Sequence, residues 1–163
     1  MNPNNVNILV NPEISPSKLL EYYVRNGICE GKYDDENIAF MGLKDSHLNI
    51  GAFIENEVVG LIRVLKEGLS AEIVEFSLDL KLQGYNRYEE GCMLETDPHD
   101  IAKQMFEIMR TELAKRGINQ ISRIIVEDIE ETLYKSFGLV HNPGHKQYVW
   151  DGQPFSDFHE KHK

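Results

Sequence analysis

The sequence predicts an α/β domain: a mixed, mostly antiparallel sheet with flanking helices and one parallel β-α-β crossover. Stretches within 48–82 alternate apolar and polar residues between short turns, as an antiparallel meander does. A helix-period stretch follows from Asp97 to about Arg116, and then a near-continuous apolar run, Ile121 to Val126. Strand, helix and strand in that order form a crossover, which is right-handed and parallel.

Each element has its own signal. Val6 to Val10 reads as a short strand. Ser15 caps a helix with Pro16 at its first position; Leu19, Leu20, Tyr23 and Val24 form its apolar stripe, and Asn26-Gly27 ends it. Residues 28–45 show no clear period. Leu48 to Glu55 alternates, and Val58 to Leu65 returns antiparallel to it. Ala71 to Leu82 reads as a third strand, with Val74, Phe76, Leu78, Leu80 and Leu82 on one side. Ile73, Glu75, Ser77 and Asp79 fall on the other, wetter side.

The stretch 84–96 reads as a long loop with a short strand at Cys92-Met93-Leu94. Asp97-Pro98-His99-Asp100 then starts a helix, with Asp97 as cap and Pro98 at the first position. Gly117 stops it. The run from Ile121 to Val126 reads as a strand covered on both faces. A helix from about Asp128 to Phe137 follows, stopped by Gly138, and residues 139–150 read as a hairpin around Asn142-Pro143-Gly144. The expected organisation is one domain over 1–150 and a polar tail over 151–163.

The chain's 163 residues suffice for one core. Lys and Arg number 17 against 27 Asp and Glu, a net charge of −10. Such a surface repels nucleic acid and anionic lipid, and no basic block reverses it, so neither is an expected partner. No apolar run approaches the roughly 20 residues of a membrane helix. Cys29 and Cys92 do not make a disulfide scaffold and read as small buried hydrophobes. A cytoplasmic location is therefore expected. His141 and His145 lie on a hairpin with no carboxylate or thiol cluster beside them, so no metal site is expected.

The most specific segment is Leu133-Tyr134-Lys135-Ser136-Phe137-Gly138-Leu139. Leu133 and Phe137 share one helix face, and Tyr134 is offset from them, with its phenol free to face a cleft. With Ala71-Glu72-Ile73-Val74-Glu75-Phe76-Ser77-Leu78, Ala114-Lys115-Arg116-Gly117 and the element order, this segment resembles the Gcn5-related N-acetyltransferase family over roughly Val6 to Trp150.

The resemblance implies an acyl-CoA-dependent N-acetyltransferase moving an acetyl group from acetyl-CoA to an amine of a small molecule or peptide, with homodimerisation open. The donor would lie where the third meander strand and the strand at 121–126 splay apart. Tyr134 would protonate the leaving thiolate, and Glu72 or Glu75, on opposite faces of one strand, would serve the amine. Backbone N–H groups near Leu78 or Leu80 would hold the oxyanion.

The family's Gln/Arg-x-x-Gly-x-Gly/Ala loop cradles the donor's pyrophosphate at a helix N-terminus. Gln83-Gly84 begins like it. Counted back from Gly117, the loop falls instead on Asp97 to Ala102, where only Ile101-Ala102 fits. There Pro98 removes a donor, and each aspartate near phosphate costs about 1 kcal/mol or more. Arg87, Lys103 or Arg123 are candidate compensators. The alternative is a non-catalytic binding or dimerising module of the same fold with a degenerate coenzyme site.

Overall fold

The protein, seen as a computed structural model, is described over residues 1–28, 36–84 and 94–144. The elements in order are β1 (Asn7–Val10), α1 (Pro16–Arg25), α2 (Glu36–Asp45), β2 (Leu48–Ile54), β3 (Glu57–Glu67), β4 (Ser70–Leu78), α3 (Leu80–Gln83), α4 (Ile101–Lys115), β5 (Gln120–Ile124) and α5 (Glu131–Ser136). The strands form one sheet in the order β1-β2-β3-β4-β5, antiparallel from β1 to β4 and parallel between β4 and β5. The predicted mixed sheet with one parallel crossover is the fold observed.

Each face of the sheet carries its own core. On one, α4 lays Ile101, Met105, Met109 and Leu113 against Leu48, Ile50, Ile62, Phe76 and Leu78. On the other, α1 and α2 lay Leu19, Tyr22, Tyr23 and Leu43 against Val58 and Leu61. Ser15 caps α1 by accepting from the Lys18 N–H at 3.4 Å. The buried stripe of α1 is Leu19, Tyr22 and Tyr23, while Val24, expected in it, is 55% exposed. Tyr22 takes the inward place because its hydroxyl finds Ser77 Oγ at 2.9 Å.

Several sequence expectations are corrected. The unassigned stretch 28–45 contains α2. β4 ends at Leu78 and not at Leu82, because the carboxylate of Asp79 accepts from the Lys81 N–H at 3.0 Å and caps the short α3. α4 starts at Ile101, with Asp100 in the capping position, and α5 is shorter than expected. β5 is not covered on both faces; it is the last strand of the sheet among the described residues and is largely exposed. Its isoleucines mimic a buried strand because Ile121 and Ile124 do pack on the α4 face, while Ile125 beyond them is 56% exposed.

The short strand at 92–94 lies outside the described residues save for Leu94, which is in no strand. Residues 139–144 form no strand, so the first arm of the expected hairpin is not present; residues 145–150, the tail, both cysteines, Arg87 and His145 lie outside the described residues. Among the described residues, no helix is long and apolar enough to cross a membrane.

Candidate functional site at the splay of two parallel strands

A bulge in β4 sets the geometry of the candidate site. Arg63 pairs with Glu75 and Val64 with Ile73, leaving Val74 as the extra residue. Ala71 and Ile73 pack on the α4 core, and so do Phe76 and Leu78, so the alternation inverts at Val74. Glu72 and Glu75 therefore point to the same face, away from α4. The sequence places them on opposite faces because a strict period of two cannot register an inserted residue. Pairing with β5 also stops here, at Ile73 with Ile124, while β4 runs on to Leu78. β5 ends at Ile124, so Val74–Leu78 has no strand partner on that side among the described residues, and this end of the parallel pair is the candidate splay.

On the α4 face the splay is aromatic. Tyr134 meets Phe76 edge-on at 5.8 Å, and Phe137 stacks on Phe106 at 5.2 Å. Tyr134 is only 4% exposed, so its ring is part of the core and not a side chain standing in an open cleft. The buried face of α5 is Tyr134 with Phe137, and Gly138, at φ 86°, ends the turn as its glycine predicts.

On the α1 face lies a polar network. Glu75 Oε2 accepts from Tyr23 Oη at 2.6 Å and Arg63 Nε at 2.5 Å, and its Oε1 is 3.0 Å from Ser77 Oγ. Burial opposes the Arg63 charge, but Glu75 and Tyr23 more than offset it and its pKa is raised. Glu72 is held differently, by Arg123 across the parallel pair at the sheet edge. Arg123 is thereby paired with a carboxylate.

Below the splay, α1 is tied to the end of β4. Asp79, fully buried, accepts from Arg25 Nε at 2.9 Å and Asn26 Nδ2 at 3.3 Å. Asn26 Oδ1 accepts from the Leu80 N–H at 3.0 Å. That N–H, a candidate oxyanion donor, is thus bonded within the chain. The carbonyl of Leu78 accepts from Gln83 Nε2 at 2.9 Å.

Gln83 is buried, and its Oε1 accepts from the Glu95 and Thr96 N–H groups at 3.0 and 3.4 Å. Gly84 follows in the left-handed region, at φ 92°, as the C-cap of α3. Gln83 clasps the chain, with both ends of its amide bonded to backbone. On the far side, Glu130 accepts from the Leu94 N–H at 2.8 Å and the Glu127 N–H at 3.0 Å. Burial pushes the Glu130 carboxyl up, against these two bonds, which favour its charge. Residues 94–96 thus run between a side chain that follows β4 and one that follows β5.

At the start of α4, Asp97 Oδ1 accepts from the Ile101 N–H at 2.8 Å and Oδ2 from the Lys103 N–H at 2.9 Å. Asp100 has φ 54° in the left-handed region, and Ala102 is fully buried.

No family model matches the sequence, and no curated protein matches it. Solved structures do match. A GNAT-family acetyltransferase of Streptococcus pneumoniae superposes with TM-score 0.62 at 16% identity, over 91% of this chain and 99% of that one. The chain has the acetyltransferase fold.

Ribosomal-protein-alanine N-acetyltransferase of Brucella melitensis superposes with TM-score 0.60 at 15% identity, over 91% of this chain and 99% of that one. A predicted acetyltransferase of Clostridium acetobutylicum, solved with acetyl-CoA, gives TM-score 0.63 at 14% identity, over 88% and 96%.

Counted back from Gly117, Asp100 stands where the phosphate-loop pattern has its first glycine, and its backbone is left-handed there; residues 85–88 of the alternative placement lie outside the described residues. The residues from Asp97 to Ala102 do not fit a diphosphate. Asp97 occupies two first-turn N–H groups, Pro98 has none to give, and Lys103 Nζ is 3.9 Å from Asp100 Oδ1.

The structure places Glu75 on the α1 face of β4, and it places Leu78, also on β4, with Tyr134 of α5 in the core on the α4 face. It leaves Glu72 at the sheet edge and Ile101 and Ala102 in the α4 core. Sequence reasoning missed Asn26, Arg63, Asp79 and Glu130. The available signal was Asp79, an acid between Leu78 and Leu80, which reads as a helix cap as well as a strand residue.

Proposed function

We propose that the chain transfers an acyl group from a thioester donor to an amine at the β4–β5 splay. The observation that carries this is the end of parallel pairing at Ile73 and Ile124 beside the Val74 bulge, within an acetyltransferase fold. Ligands of open parallel sheets lie at the carboxyl ends of diverging strands.

On this reading the acceptor approaches from the α1 face. The carboxylate there is Glu75, held by Tyr23, Arg63 and Ser77, which makes it a positioning group for a cationic nitrogen. Tyr134, buried on the α4 face against Phe76, is the phenol that would protonate the leaving thiolate. The acceptor is an amine of a small molecule or a peptide.

Thiol release from acetyl-CoA and from acetyl-pantetheine, with a panel of mono- and polyamines and peptide N-termini, tests the proposal. Release above hydrolysis with either donor, reduced by Tyr134→Phe at unchanged donor affinity, is expected. No release with either donor would sink it.

The second reading, a non-catalytic module of the same fold, is favoured by the internal occupation of the α4 N-terminus by Asp97. It predicts no release with any amine.

A further inference from the structure

We propose that Asp97 is a built-in occupant of the anion position at the start of α4, and that it keeps a donor's diphosphate out of that position. The inference concerns the donor end of the site discussed above but stands on the chain's own contacts.

A helix N-terminus offers unsatisfied N–H groups and positive potential, which a phosphate uses. Here both oxygens of Asp97 are spent on them, at 2.8 Å to Ile101 N and 2.9 Å to Lys103 N. The backbone of the cradle persists, since Asp100 holds the left-handed conformation at φ 54°. Its side chain, 72% exposed, adds a second carboxylate to the approach.

Asp97 is also anchored. The residues before it are fixed on one side by Gln83, which takes the Glu95 and Thr96 N–H groups and whose carbonyl accepts from Thr96 Oγ1 at 2.8 Å. On the other side Glu130 takes the Leu94 N–H, and Leu94 itself is fully buried. A carboxylate on a chain so held does not swing aside for an incoming anion. A donor at the splay is then recognised through its thioester arm and not through its diphosphate.

Calorimetric titration of the full chain with ADP, which has a diphosphate and no acyl group, tests this. Asp97→Ala frees both N–H groups; Asp97→Asn removes the charge while its amide oxygen still caps Ile101, and it decides the matter if Asp97→Ala does not fold. The expected result is that each variant that folds binds ADP at least roughly tenfold more tightly than the parent. The gained affinity should also weaken as salt is raised. Equal affinity in parent and variants, whether measurable or absent in all, overturns the proposal. ADP binding and thiol release fail independently, so a failure of one is not a failure of the other.

Discussion

The N–H of Leu94 donates to Oε1 of Glu130 at 2.8 Å, although the two residues are 36 apart in the chain. This bond joins the approach to α4 with the turn before α5. Glu130 is 7% exposed and also holds the Glu127 N–H, so its removal orphans two N–H groups. Glu130→Ala should destabilise the fold by about 2–4 kcal/mol in urea unfolding.

The pH dependence of the same residue has a definite sign. Burial raises the native pKa of Glu130 above its ordinary 4.5, so the native state binds the proton more tightly than the unfolded one. Its contribution is therefore fully present below the unfolded value and is lost as pH rises through the native one. Measured against Glu130→Gln, the parent should gain relative stability as pH falls through the native value. A difference independent of pH would remove the burial argument.

Asn26 is 1% exposed, and its amide serves three partners: Tyr22 O, Asp79 Oδ2 and the Leu80 N–H. Asn26→Ala leaves the Leu80 N–H unpaired, and a loss of about 2–3 kcal/mol is expected. Asn26→Asp should cost more, because it sets a second carboxylate against Asp79. Thermal melts of the two variants give the order directly.

These polar ties also explain what could be read in the sequence and what could not. Helix α4 was legible because its apolar period runs unbroken from Ile101 to Leu113, and the meander because short alternating runs are set off by turns. The faces of Glu72 and Glu75 were not. A bulge at Val74 leaves no mark in a pattern of alternation, and its effect is set by pairing with Arg63 and Val64 across the sheet. Helix α2 was hidden because little of it is buried; Leu43 is at 5% exposure while Met41 is at 60%. Tyr134 was found by its place in the chain, but its burial depends on Phe76, which no local spacing connects to it.

Arg63 and Glu75 form a half-buried ion pair on the α1 face, at 2.5 Å with side chains 21% and 11% exposed. A double-mutant cycle with Arg63→Met and Glu75→Gln should show coupling of about 1–3 kcal/mol. Either single change should destabilise more than the pair together, since each leaves a partly buried charge without its partner. Additive effects would show the two to be independent.

Gly60 lies beneath α4, where an added Cβ would stand 3.0 Å from Met105 Sδ and 3.3 Å from both Ala52 Cβ and Leu78 Cδ1. Met105 has rotamers to spare, but the Ala52 and Leu78 atoms are held by the sheet. Gly60→Ala should therefore cost about 1–2 kcal/mol by overpacking, and Gly60→Val more. Urea midpoints with an unchanged slope would identify a packing effect.

The most direct test of where a donor sits is amide chemical-shift mapping of the full chain with desulfo-CoA. The account predicts shifts concentrated on Val74–Leu78 and on the residues leaving β5, Ile125 to Glu127, with Ile101 and Lys103 little changed. Shifts centred on Ile101 and Lys103, or none along Val74–Leu78 at saturating ligand, would contradict it.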